Sequence, residues 1–127
     1  TDVNGIKVEA IHVPGHTLGH MCYLVDESIL ISGDCLAINK NGGYPFFDFF
    51  TQFPDMNKKS LVKLRETLKN KPVKAVCTGH SGYREYGQST FAHIDETAVF
   101  DKKIHFDEYA PEDYTKYWYN LYSMVLL

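Results

Sequence analysis

From Ile6 to Val13 the chain reads Ile-Lys-Val-Glu-Ala-Ile-His-Val, a largely alternating run that predicts a half-buried strand. Pro14-Gly15 ends it. Two short β-rich runs follow, His20 to Val25 and Ile29 to Ser32, with Asp26-Glu27-Ser28 between them as a hairpin turn. Gly33-Asp34 closes the second run. Residues 39–54 predict a loop rich in glycine and aromatic residues. Asp55 is the expected N-cap of a helix whose apolar face carries Leu61, Leu64 and Leu68, with Lys58, Lys59, Lys63 and Lys69 mostly off that face. Asn70 and Pro72 stop it, and Val73 to Thr78 predict a buried strand ending in Gly79-His80.

Two further helices are expected. One covers Thr90 to Lys103. The other is an aromatic C-terminal extension within 104–127, where Pro111, Glu112 and Asp113 suit a helix start. Tyr114, Tyr117, Trp118, Leu121, Tyr122 and Val125 then recur at helical spacing. The order β-β-β-α-β-α-α is mixed α/β, with no internal repeat.

Composition narrows the class without changing that picture. The 127 residues suit one domain, and 44% apolar with 23% charged residues is ordinary for a folded protein. A net charge of −3 argues against nucleic acid as a partner, and no apolar run is long enough to cross a membrane as a helix. Cys22, Cys35 and Cys77 read as three free thiols in a reducing, cytoplasmic setting. Thr1 opens the chain and no signal-peptide pattern follows, so the sequence reads as an excised or processed piece.

Three histidines crowd into His12-Val-Pro-Gly-His16-Thr-Leu-Gly-His20. His16 lies in a Gly-flanked loop after a strand. Asp34 and His80 each follow a strand and a glycine. If those strands are neighbours, His16, Asp34 and His80 converge at one end of a sheet. Imidazole and carboxylate donors suit Zn²⁺, Mn²⁺ or Fe²⁺. The competing reading is ordinary: surface or core histidines, and an aspartate in a turn.

The three motifs His12 to His20, Ile31-Ser32-Gly33-Asp34 and Thr78-Gly79-His80 resemble the metallo-β-lactamase superfamily in order and spacing. The resemblance covers residues 5–95 and matches the second half of that family's αββα sandwich, a mixed sheet with helices on one face. Gly15-His16-Thr17-x-Gly19-His20-x-Cys22-Tyr23 is most similar to the glyoxalase-II-like hydrolase branch. It implies that His16 is a ligand of a first metal, that Asp34 bridges two metals, and that His80 is a ligand of the second. His20 and Thr17 become supporting residues around the ligands, and His12 a structural one. The implied cofactor is Zn²⁺, two per complete site, with iron or manganese as alternatives. The implied reaction is attack of a metal-bound hydroxide on an ester, thioester or related bond of a small molecule.

The family's other signature, H-x-H-x-D-H, is absent from these 127 residues. The chain therefore reads as a single partial domain with about half a binuclear site, and weak or no activity by itself is expected. A half sandwich would also expose an apolar sheet face, so a missing N-terminal half or a second copy is the expected partner. In the glyoxalase-II branch a tyrosine that helps hold glutathione stands two residues after the last ligand. Here that place is Gly82, with Tyr83 one beyond, and the branch's Gly-Arg-Thr-Asp segment is missing, which argues against glutathione. Tyr44, Phe46 and Tyr83 are the candidate substrate-binding residues. Two rival readings keep the fold: an iron-dependent oxidoreductase, and a non-catalytic half-domain that binds or dimerises.

Overall fold

The computed structural model describes residues 1–96. The elements in order are β1 (Asp2–Val3), β2 (Ile6–His12), β3 (Met21–Val25), β4 (Ile29–Gly33), β5 (Leu36–Asn39), β6 (Gly42–Pro45), α1 (Pro54–Leu68), β7 (Ala75–Thr78) and β8 (Tyr83–Glu85). Short 3₁₀ turns cover Asp48–Phe50 and Gln88–Phe91. Six strands form one sheet in the order β1-β2-β3-β4-β7-β8, and β5 and β6 form a separate hairpin. Every pairing is antiparallel except β4 with β7. A parallel pair needs a long crossover, and the connection containing the β5-β6 hairpin and α1 supplies it. The fold is thus α/β, a mixed sheet with a helix packed on one face.

The β3-β4 turn is tight because Asp26 and Glu27 both take positive φ, at 46° and 55°. Lys7 ties both down. Its backbone N–H donates to Asp26 Oδ1 at 2.8 Å, and its Nζ meets Glu27 Oε1 at 3.1 Å. Strand alternation then sorts the sheet's two faces. Cys22, Leu24, Leu30 and Val76 point inward and pack with Leu61, Leu64 and Leu68 of α1 in one buried cluster. Tyr23, Ile29 and Ile31 point the other way and are 41–43% exposed. The register pairs Ala10 with Tyr23, Tyr23 with Ile31 and Ile31 with Cys77, so this open face is a continuous apolar band.

Several expectations need correction. Asp55 is not the N-cap. Phe53 holds that place and Pro54 opens α1, because proline's fixed φ and missing N–H suit the first helical position. The span 39–54 is not all loop. Asn39 pairs with Gly42 and Leu36 with Pro45, and Asn41 N–H donates to Asn39 Oδ1 at 2.8 Å across the turn. Gly43 is needed there because a Cβ would run into the Thr90 carbonyl. Strand β8 pairs with β7 at the sheet edge and was not expected. Among the described residues the helix expected over Thr90 to Lys103 does not form: the 3₁₀ turn at Gln88–Phe91 ends there and residues 92–96 are non-helical turns. Residues 97–103 and the aromatic extension within 104–127 lie outside the described residues. Among the described residues no helix is long and apolar enough to cross a membrane.

Candidate metal centre

Topology explains why the donors meet. Strands β2, β4 and β7 finish at the same end of the sheet, and antiparallel β3 starts there. The loop from Val13 to His20 leaves that end. Val13 N–H donates to the His20 carbonyl at 3.0 Å and Gly15 N–H to the Thr17 carbonyl at 2.9 Å, so the loop is narrow. His12 braces it through Nε2 against the Leu18 carbonyl at 2.8 Å. Thr17 contributes its backbone carbonyl, while its side chain faces solvent.

The approach to α1 locks this loop. Phe53 N–H donates to the Gly15 carbonyl at 2.9 Å and Gln52 N–H to the His16 carbonyl at 3.0 Å. Gly15 has φ +144°, and a Cβ there would overlap the backbone of Asn57. Only glycine lets α1 come this close.

Asp34 follows Gly33, whose φ of +59° turns the chain out of β4. Gly79 N–H donates to the Gly33 carbonyl at 3.0 Å, which joins the ends of β4 and β7. A Cβ on Gly79 would run into Asp34 Oδ1. The glycine before His80 is therefore what makes room for the carboxylate. His16 Nε2 lies 3.7 Å from Asp34 Oδ2, and His80 Nε2 lies 3.3 Å from Oδ1. Each carboxylate oxygen faces a different imidazole.

Burial pushes Asp34 up, but His80 beside it, with His16 and His20 behind, outweighs that and holds the carboxyl below its ordinary value. The contact with Asp34 raises His80 against the opposing effect of its burial. His16 is lowered, first by burial and then by His20 and His80, with Asp34 opposing. His16 therefore favours its neutral, ligating form. His16 Nδ1 is buried without a hydrogen-bond partner, and Asp34 Oδ1 is buried with only the His80 imidazole at 3.3 Å beside it. Two imidazoles around a carboxylate, with a buried imidazole nitrogen of His16 left unpaired, fit the donor chemistry of a divalent transition metal.

The candidate substrate residues separate. Phe46 is buried and packs on both histidines, edge-on to His16 with ring centroids 5.4 Å apart and near-parallel to His80 at 5.6 Å. Tyr44 instead stacks on His93 at 4.5 Å. Tyr83 stands opposite Cys77 on the open sheet face, 75% exposed.

A second donor group lies beside the first. His20, Cys22 and Cys35 each place a ligand atom within 4.8 Å of the other two. The sulfurs of Cys22 and Cys35 are 3.6 Å apart and both are buried. Interaction with Cys35 lowers the Cys22 thiol to about 6 against the effect of burial, with His20 assisting, while Cys35 is raised by Cys22 and by its own burial. All three cysteines are free thiols as expected, but their wide spacing in the sequence hid this group. Its available signals were Cys22 two residues after His20 and Cys35 directly after Asp34.

Comparison with known proteins agrees with the motifs. A family model described as the metallo-beta-lactamase superfamily matches residues 2–80. A hydroxyacylglutathione hydrolase from Shewanella halifaxensis is 34% identical over 53 residues, covering 38% of this chain and 20% of that protein. The crystal structure of an archaeal metallo-beta-lactamase superfamily protein from Sulfolobus tokodaii shares 29% identity at a TM-score of 0.52, covering 67% of this chain and 31% of that one. The chain thus spans less than a third of the length of either relative. With the family model covering most of its length, the chain belongs to the metallo-beta-lactamase superfamily.

Proposed function

We propose that this chain supplies the Asp34-centred part of a metal-dependent hydrolase site that acts on an ester, thioester or related bond of a small molecule. The observation that carries this reading is the position of Asp34 between His16 and His80, one carboxylate oxygen towards each. His16, Asp34 and His80 would be the residues that hold the metal, with one imidazole on each side of the carboxylate. Zn²⁺ suits these donors, and when bound it would supply Lewis acidity and lower the pKa of coordinated water to about 7. Phe46 would keep the two imidazole rings oriented by packing on both, and would exclude water from their shared side. The hydroxyacylglutathione hydrolase relative supports thioester-like chemistry, while Gly82 in place of the expected tyrosine argues against glutathione.

Beside His16, Asp34 and His80 these 127 residues carry no H-x-H-x-D-H string, so the expected activity of the chain alone is negligible. The test is Zn²⁺ binding by calorimetry together with hydrolysis of a simple acyl thioester. In a Cys22→Ser/Cys35→Ser background, which removes the second donor group, weak Zn²⁺ binding that is lost in His16→Ala, Asp34→Ala and His80→Ala is the expected result. Zn²⁺ affinity unchanged by all three substitutions would overturn the assignment. Robust turnover abolished by Asp34→Ala would keep the site and overturn the expected inactivity.

A further inference from the structure

We propose that His20, Cys22 and Cys35 form a separate, thiolate-rich site for Zn²⁺ or a similar soft d¹⁰ cation, built into the core behind Asp34. The proposal does not depend on the hydrolase reading, because it shares no ligand with His16, Asp34 and His80.

Geometry is the first argument. Zn–S bonds of about 2.3 Å in a tetrahedral shell place two sulfurs about 3.8 Å apart. The Cys22 and Cys35 sulfurs stand 3.6 Å apart, and the third donor lies within 4.8 Å of both. Little more than side-chain adjustment would close a shell around one ion. A disulfide asks for more, since its S–S bond of about 2.0 Å requires the sulfurs to approach by well over 1 Å.

The surroundings supply the second argument. His20 Nδ1 is buried without a hydrogen-bond partner. Gly33 lets the ring sit close, since a Cβ there would stand 3.0 Å from His20 Nε2. The Ser32 carbonyl lies 3.5 Å from Cys22 Sγ and 3.2 Å from Cys35 Sγ, where it accepts the thiol hydrogens of the metal-free protein. Both cysteines belong to the same buried cluster as Val13, Leu24, Leu30 and Leu36. A charge pair buried among such residues is tolerable only when neutralised, and one divalent cation with two thiolates and a neutral imidazole is neutral overall. Binding forms two sulfur–metal bonds and releases the protons the two thiols still carry. No oxidant is required.

The ligands also come from separate elements. His20 and Cys22 flank the start of β3, and Cys35 follows β4. An ion held there would cross-link the loop carrying His16 to the turn carrying Asp34. Its role would be to set the spacing of the outer donors without touching a substrate.

The test uses Cd²⁺ as a probe, because thiolate-to-cadmium charge transfer gives an ultraviolet band that imidazole and carboxylate ligands do not. The reduced full chain should develop this band and saturate it at one equivalent. The band should be lost in Cys22→Ser and in Cys35→Ser, and kept in Cys77→Ser and Asp34→Asn. X-ray absorption of the Zn²⁺-loaded wild type should show two sulfurs in the first shell, which keeps the test open if a serine variant fails to fold. A first shell of nitrogen and oxygen only, a band that survives Cys35→Ser, or a Cys22–Cys35 disulfide in protein purified without reductant would each overturn the proposal.

Discussion

Gly79→Ala puts one methyl group where the structure has no room for it. The new Cβ would run into Asp34 Oδ1 and stand 3.0 Å from Asp34 Cγ, while its next neighbour, the Gly33 carbonyl carbon, lies at an ordinary 3.4 Å. The clash is therefore with one side chain and not with the backbone. Overpacking of this kind costs about 1–3 kcal/mol where nothing can yield. The Asp34 side chain is 31% exposed and can rotate away, so the stability cost should sit near the lower end, about 1 kcal/mol. For a domain of this size that lowers the melting temperature by about 4 °C.

The larger loss falls on the site, because a rotated carboxylate no longer lies between His16 and His80. Each factor of ten in affinity corresponds to about 1.4 kcal/mol, and loss of one ligand of three should cost at least that. Gly19→Ala is the matched control, since nothing lies within 4 Å of its Cβ position. The assay is thermal melting of the metal-free protein together with Zn²⁺ competition against a chromophoric chelator, the latter in a Cys22→Ser/Cys35→Ser background that silences the second donor group, for Gly79→Ala, Gly19→Ala and Asp34→Ala, and for Gly79→Ala combined with Asp34→Ala. The melting penalty of Gly79→Ala should largely vanish in the Asp34→Ala background, since the group it strikes is gone. The reasoning fails if Gly79→Ala matches Gly19→Ala in both measurements, or if its melting cost is the same with and without Asp34.

Other outcomes follow from the same geometry. The lowered Asp34 contributes stability above the ordinary carboxylate range and loses it as pH falls through its folded value; the raised His80 contributes below the ordinary imidazole value and loses it as pH rises through its folded value. Melting of the chelator-treated chain should therefore peak between those limits, and Asp34→Asn should flatten both limbs, whereas an unchanged profile would remove the pair from the account. Asn57 is fully buried and its Nδ2 donates to the Cys35 carbonyl at 2.9 Å, so Asn57→Ala should cost about 1–3 kcal/mol in urea unfolding, and an unmoved midpoint would contradict this. Ile29→Lys with Ile31→Lys should reduce binding of an apolar-surface dye while changing melting by less than about 1 kcal/mol, because both side chains lie on the open sheet face; undiminished dye binding would show that the dye reports another surface.

How much could be read in advance depended on how local each signal was. Strand β2, the β3-β4 hairpin and the leucine stripe of α1 follow from alternation and from three- and four-residue spacing within one element. Asp34 and His80 were legible because a glycine and then a donor directly after an apolar run mark a strand end. The β5-β6 hairpin was hidden because Gly42 and Gly43 look like loop residues, yet they serve close approach to the segment around Thr90. The aromatic run defeats any single reading. Phe46 and Phe47 are buried, while Phe49 is 74% exposed, because the 3₁₀ turn at Asp48–Phe50 reverses which way the rings point.

The pairing of Cys22 with Cys35 was the least visible feature, since it spans 13 residues and depends on register. Tyr23 pairs with Ile31, which carries Cys22 alongside Ser32 and within reach of the residue that follows the Gly33 turn. Asp34 and Cys35 are consecutive, and consecutive side chains leaving a strand point to opposite sides. One turns out to His16 and His80, the other in to Cys22 and the core. A single backbone reversal at Gly33, with φ at +59°, thus positions donors of both groups, one harder and half-buried, one soft and buried. Each is a short-range consequence of that turn, but the partners they meet come from β3, β7 and the loop around His16. The chemistry of the donors is written in adjacent residues, and their grouping is written only in the sheet.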